Sequence, residues 1–317
     1  MIIFADNLGV NLYFLSGHFI IYGCYFSSRG YYRFVGTFLS FLLAEVFSQW
    51  TFRFPQGICR FTKGLPDHGA QLADNLEDLV GLHDASNIAA VIVEPISGSA
   101  GVVLPPKGYL KRLRELCTKH NILLIFDEVI TGWGRLGSAF AAEEFDVVPD
   151  MITSAKGITN GVVPLGAVFV KDEIHDQIVN NVAVGGIEFY HGYTYSAHPV
   201  ACAAGIATLD IYENEGLLKR ASGDIGTHFE NQLHSLKDVP KVIDIRNYGL
   251  VGAIQFDPSV AANGPIGLDF QKGCYQRGVM VRTMGNIVAF SPPLTIEANH
   301  IDRLVATLRE TAEDMSG

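Results

Sequence analysis

The chain has 317 residues, 48% of them hydrophobic and 18% charged, enough apolar material for one large or two medium domains with a sizeable core. Its 33 acidic against 23 basic residues give a net charge of -10, a field that repels a phosphate backbone and excludes nucleic acid as the expected partner. Five widely spaced cysteines without a CxxC pair are expected as reduced thiols of a cytoplasmic protein, and the Cys117 to His120 spacing has no second pair to complete a zinc site.

No lysine or arginine precedes Arg29, so the start lacks the basic region of a secretory signal and export is not expected. Residues 1–67 hold 17 of the 34 aromatics but only eight charged residues, which marks a composition break near residue 67. The apolar positions before it follow neither the strand nor the helix period, so 1–66 reads as an aromatic-rich segment without assigned elements. Two apolar runs, 8–27 and 34–48, are diluted by Asn11, His18 and Glu45. The second is shorter than the roughly 20 residues of a membrane span, so a membrane association is not expected.

From residue 67 the pattern becomes regular. HGAQLADNLEDLVGLH predicts a helix, AAVIVEP (89–95) a buried strand, KGYLKRLRELCTKHN (107–121) an amphipathic helix, and ILLIFDEV (122–129) a second buried strand closed by acids. Strand, helix, strand at this spacing is the signature of a mostly parallel sheet covered by helices, with ligands expected at the carboxyl ends of the strands. MITSAKG (151–157) and PLGAVFV (164–170) extend the sheet, and SAHPVACAAGIATLDIYENEG (196–216) predicts a long helix rich in small residues. Beyond it come a helix over 217–237, strands within 242–256, a helix near LDFQKGCYQRG, strands at VMVRT and NIVAFSPP, and a closing helix from Glu297, an alternation that predicts a smaller α+β domain.

Asp127 ends an apolar run, where a carboxylate needs a cation or a hydrogen-bond donor as partner; a pyridinium nitrogen is one. Lys156 follows the next apolar strand, so both side chains are expected on one edge of the sheet, the lysine in reach of a carbonyl and the aspartate in reach of a protonated ring. Taken singly, each residue is more ordinarily a surface lysine or a turn-capping acid.

The segments EPISGSAGVVLPPKGYL, LLIFDEVITGWGRLGSAFAAEEFDVVPDMITSAKGITNGVVPLGAVFV, HGYTYSAHPVACAAG and VRTMGNIVAFSPPLTIE closely resemble class III, omega-amino-acid:pyruvate aminotransferases over roughly residues 67–317. The resemblance implies an incomplete fold-type-I aminotransferase: an α/β large domain (67–215) with helices on both faces of a mostly parallel sheet, and a C-terminal α+β small domain (216–317). It implies pyridoxal 5'-phosphate as cofactor, bonded to Lys156, with Asp127 on the ring nitrogen and Val129 on the ring face. It further implies that Thr194 binds the cofactor phosphate of the neighbouring subunit in a homodimer. Arg282 would receive the carboxylate of the keto-acid acceptor, a task suited to its guanidinium fork. The alternatives are a helix N-cap for Thr194 and a salt bridge for Arg282. Glu94 is a strand-end acid in a supporting role, and Trp133 stands where many members have phenylalanine.

Members of this family place a glycine/serine turn that cradles the phosphate, and a ring-stacking tyrosine, ahead of the matched region. The nearest candidates, SGHF (16–19) and RGYYR (29–33), lack the small-residue run and following helix of an anion site. Two functions therefore stand against each other: transamination between an omega-amino acid or amine and pyruvate, or an inactive homologue that serves as a binding or structural dimer subunit.

Overall fold

The computed structural model describes residues 2–6, 9–10, 60–182, 185–186, 194–258 and 266–315. The phosphate-turn candidates at 16–19 and 29–33 lie outside them, as do the two apolar runs apart from residues 9 and 10.

The first sheet has six strands, β1 (Ile2–Asp6), β2 (Gly9–Val10), β3 (Ile88–Val93), β4 (Leu123–Asp127), β5 (Met151–Ser154) and β6 (Ala167–Val170), in the order β2-β1-β3-β4-β5-β6. The continuous apolar runs form its parallel centre, with Ala90 opposite Leu123 and Asp127 opposite Thr153. β1 joins β3 and β6 joins β5 antiparallel, so the sheet as a whole is mixed around a parallel core. The link from Ser154 to Ala167 holds one short 3-10 turn, Lys156–Ile158, and no crossover helix of the kind a parallel return requires.

α1 (Asn75–His83) and α2 (Tyr109–Lys119) belong to this large domain. In α2 the buried positions are Tyr109, Leu110, Leu113, Leu116 and Cys117, a single stripe at helical spacing that packs on Val91, Leu124 and Phe126 of the sheet. Burial also pushes the Cys117 thiol up to about 11, so it stays protonated and inert. The opposite face centres on Ala90, Ile92 and Ile125. α3 (Ala141–Glu144) follows β4, and its first amides are taken by Glu128, a buried carboxylate that accepts from Ala141 N at 2.5 Å, Ala142 N at 2.9 Å and Thr131 Oγ1 at 3.1 Å. α4 (Asp172–Asn180) and α5 (Pro199–Asn214) follow β6 in the chain.

The second sheet is antiparallel throughout, in the order β7-β8-β10-β9: β7 (Val242–Tyr248), β8 (Val251–Phe256), β9 (Arg282–Met284) and β10 (Ile287–Phe290). α6 (Asp224–His234), α7 (Ile266–Gln276) and α8 (Ala298–Asp314) pack on it around Phe229, Leu233, Ile245, Ile254, Phe256, Phe270, Val288 and Ile301. The helix expected over 217–237 is broken into a 3-10 turn (Leu217–Ser222), α6 and a second 3-10 turn (Ser235–Asp238). Extended backbone at Gly223 (ψ -158°) supplies the break. The strand expected over 279–283 begins only at Arg282.

Residues 60–66 are built into both domains. Phe61 N donates to Asp244 Oδ1 at 3.0 Å, Lys107 N donates to the Pro66 carbonyl at 2.8 Å, and Leu65 packs on the cluster of Ile96 and Leu136. No helix among the described residues is long and apolar enough to cross a membrane.

The domains meet where the segment after β4 enters the small domain. Arg135 Nη1 donates to the carbonyls of Leu250, at 3.1 Å, and Pro292, and Leu250 N returns a bond to the Arg135 carbonyl at 3.0 Å. Gly249 takes φ +55° there, and a Cβ on it would lie 2.7 Å from the Arg135 carbonyl oxygen. Burial lowers the guanidinium to about 10, with Tyr212 opposing the fall, and among the described residues it forms no ion pair, so its hydrogen bonds are to carbonyl dipoles. Two charge-assisted bonds outweigh the burial cost that Arg135→Met would relieve, and this substitution is expected to lower stability by about 2 kcal/mol. A fall in the urea midpoint without a change in slope checks it.

Candidate active site

Three neighbouring parallel strands deliver their ends to one edge of the sheet. Glu94 follows β3, Asp127 is the last residue of β4, and Lys156 lies two residues beyond β5. The apolar runs cannot continue past this edge without exposing themselves, so each strand yields there to a polar residue, where ligands bind in open parallel sheets.

Asp127 Oδ1 accepts from its own loop, Val129 N at 3.2 Å, and from Thr153 Oγ1 of the adjacent strand at 3.1 Å. Oδ2 takes no hydrogen bond among the described residues, which leaves half the carboxylate available to an outside donor. Lys156 stands in the 3-10 turn with φ +46°, a left-handed conformation that costs a non-glycine residue on the order of 1 kcal/mol. Its side chain is exposed and makes no ion pair or hydrogen bond among the described residues. It lines an open cleft of about 470 Å³ with Ala155, Thr159, Pro164 and Leu165. Asp127 does not line that cleft; the strand pairing of Asp127 with Thr153 is what links it to the lysine turn.

Glu94 stands closer to this chemistry than its sequence context indicated. Its carboxyl accepts from Gly98 N at 3.1 Å and is raised above its usual range, first by burial, then by the charge of Asp127; the Gly98 bond and Lys156 oppose the rise. A carboxyl raised on folding costs stability as pH climbs from its ordinary value of 4.5 toward the folded value, because the unfolded chain releases the proton first. Glu94→Gln keeps an acceptor for Gly98 and removes the titration. The variant is therefore expected to lose less thermal stability than the parent between pH 4 and pH 7, and parallel melting curves across that range would contradict the assignment.

The remaining expected residues are placed as follows. Val129 is half-buried in the loop after β4. Thr194 sits exposed in the turn 194–197, ahead of α5. The helix expected from Ser196 starts at Pro199 and is capped by His198, whose Nδ1 accepts from Val200 N at 3.3 Å, so the N-cap alternative for Thr194 does not hold. Arg282 begins β9 opposite Ala289, exposed, with no ion pair among the described residues; the salt-bridge alternative finds no partner there, and no contact brings Arg282 to Lys156 or Asp127. Thr153, Ser154 and Tyr212 border the lysine turn without having been singled out by sequence pattern, because their roles arise from neighbours up to 55 positions away in the chain, as Tyr212 lies from Gly157 (212 minus 157).

Comparison with known proteins places this geometry in a family. The model of the aminotransferase class-III family matches residues 47–311, starting upstream of the composition break. An omega-aminotransferase of Caulobacter vibrioides is 54% identical over 247 residues, covering 78% of this chain and 56% of the relative. A beta-alanine–pyruvate aminotransferase of Pseudomonas aeruginosa is 51% identical, covering 79% and 56%. Among solved structures, a transaminase with L-alanine superposes with TM-score 0.76 at 33% identity, over 84% of this chain and 62% of that one. An amine transaminase from an uncultivated Pseudomonas species, in its PLP-bound form, gives 0.72 at 39%, over 78% and 57%. The chain thus spans a little over half the length of the relatives it matches. The strand-end acids, the lysine turn and the match over both domains together identify the chain as a member of the class III aminotransferases.

Proposed function

We propose that this chain works in the cytoplasm as part of a pyridoxal-phosphate-dependent enzyme that moves an amino group from an omega-amino acid or amine to pyruvate. The observation that carries the reading is the pairing, on adjacent strand ends, of an unengaged amine on Lys156 with a half-engaged carboxylate on Asp127. These two groups suit the aldehyde and ring-nitrogen ends of pyridoxal phosphate, the cofactor of class III aminotransferases. An inactive binding subunit has no finding in its favour, since the matched relatives are named as aminotransferases.

Bound pyridoxal phosphate supplies an aldehyde and an electron-withdrawing ring. Lys156 Nζ would hold it through the aldehyde, Asp127 Oδ2 would accept the ring N–H, and Val129 would pack on the ring face. Asp127 keeps its orientation because Oδ1 is tied to Val129 N and Thr153 Oγ1, so only Oδ2 turns to the ring. Once the donor's amine has displaced it from the aldehyde, the freed Lys156 Nζ would take the proton from the amine-bearing carbon of the donor and later return one to the carbon of the keto acid. Arg282 takes the keto-acid carboxylate through its guanidinium fork. Thr194 would contact the cofactor phosphate of the neighbouring subunit in a homodimer.

Titration of the purified chain with pyridoxal phosphate, followed by near-visible absorbance, borohydride reduction and peptide mapping, tests this reading. A single label at Lys156 supports it. No spectral change and no label overturn it.

A further inference from the structure

The turn that carries Lys156 is held at both ends by two aromatic side chains, and neither belongs to the acid and amine set already described. Trp133, buried in the loop after β4, donates from Nε1 to Ser154 Oγ at 2.7 Å, two residues ahead of the lysine. Tyr212, on α5, donates its hydroxyl to the Gly157 carbonyl at 2.6 Å, one residue past the lysine, and the same oxygen lies 3.2 Å from Asn160 Oδ1. The two rings stack with centroids 6.2 Å apart and planes 18° from parallel, and the Phe140 ring lies tilted against the indole with centroids 5.1 Å apart.

Gly157 is part of this clamp. A Cβ there would stand 2.7 Å from the Cβ and 2.9 Å from the Cδ1 of Trp133, so glycine is required for contact with the indole, its φ not being positive. Lys156, Trp133 and Asn160 all carry positive φ, at +46°, +62° and +51°. Three non-glycine residues in a disfavoured conformation around one turn persist only where the surroundings over-determine them, and the two aromatic hydrogen bonds supply that determination.

We propose that Trp133 and Tyr212 are positioning residues for Lys156. The indole N–H on Ser154 and the phenol on Gly157 fix the left-handed turn and with it the direction in which the amine leaves the strand edge. This rests on the proposed function for its consequence, the alignment of the lysine with a ring held by Asp127. The contacts themselves are independent of that function. Trp133→Phe keeps an aromatic ring and removes the N–H, Ser154→Ala removes its acceptor, and Tyr212→Phe removes the phenol.

The full chain and these variants are loaded with pyridoxal phosphate, and three quantities are read: the rate of borohydride-trapped labelling at Lys156, the circular dichroism of the near-visible band per labelled lysine, and the melting temperature. Loss of one such hydrogen bond is expected to slow labelling about fivefold and to diminish the induced dichroism. Trp133→Phe combined with Ser154→Ala is expected to be no worse than either alone, since both remove one bond. A merely structural role would lower the melting temperature and leave the dichroism per label unchanged, and that result overturns the proposal, as does unaltered labelling in all variants. Should the parent chain take no label, the proposed function falls, and the clamp is judged on acetylation of Lys156 by a small ester, mapped against Lys237. A changed Lys156 rate in Trp133→Phe upholds the clamp; an unchanged rate overturns it.

Discussion

Lys156→Ala is expected to abolish borohydride-trapped pyridoxal phosphate and to lower transamination at least ~10⁴-fold, because under the proposed function one side chain would serve as both covalent anchor and proton carrier. The loss should be chemical. Lys156 is exposed and bonds to nothing among the described residues, so its truncation is expected to move stability by no more than about 0.5 kcal/mol. Alanine meets the same left-handed backbone at φ +46° and so inherits its strain without adding to it. Steady-state rates with an omega-amino acid and pyruvate, alongside thermal melting, separate the two effects. Partial recovery on addition of a small primary amine is expected, since such an amine replaces the proton carrier. Undiminished turnover in the variant would remove Lys156 from the chemistry.

Asp127→Asn is expected to weaken cofactor binding and to reduce turnover by about 10²–10³-fold. The substitution is nearly isosteric, and the amide oxygen is able to retain the bonds from Val129 N and Thr153 Oγ1, so the fold should survive. What changes is the outer position, where the carboxylate oxygen that would accept a ring N–H under the proposed function becomes an NH₂ group that would meet it donor to donor. Equilibrium titration of the cofactor and the melting curve of the unloaded variant give the decisive pair of readings. Equal affinity in variant and parent would mean that Asp127 does not meet the ring nitrogen.

Both substitutions concern residues that stand out in the linear chain. Asp127 and Lys156 are legible because an apolar run of buried strand length that stops at a charged residue marks a strand end, and two such runs joined by a connection long enough for a crossover can lie side by side in a parallel sheet. The amphipathic stripe of α2 and the closing helix from Glu297 are legible for the same local reason, hydrophobic periodicity. Helix ends are less so. The helix assigned from Ser196 begins at Pro199, because the imidazole of His198, a residue type not expected as a cap, takes the first free amide. Gly223 interrupts the helix over 217–237 through a backbone conformation that no periodicity encodes.

By itself, then, the chain's order of residues determined the parallel centre of the first sheet, the strand-end acids, the lysine and the family, because these depend on local pattern and on motifs read along the chain; β1 and β2, in the segment read without elements, join that sheet only through pairing with β3. Only the tertiary structure decided that Glu94 shares an electrostatic environment with Asp127 and Lys156, that Arg135 lies among carbonyls of the small domain, and that Trp133 and Tyr212 grip the lysine turn. Each of these depends on groups 21 to 157 positions apart meeting at hydrogen-bond or Coulombic range, from Trp133 with Ser154 to Arg135 with Pro292. Such meetings are set by how sheet edges and helices pack, and no window of sequence contains both partners.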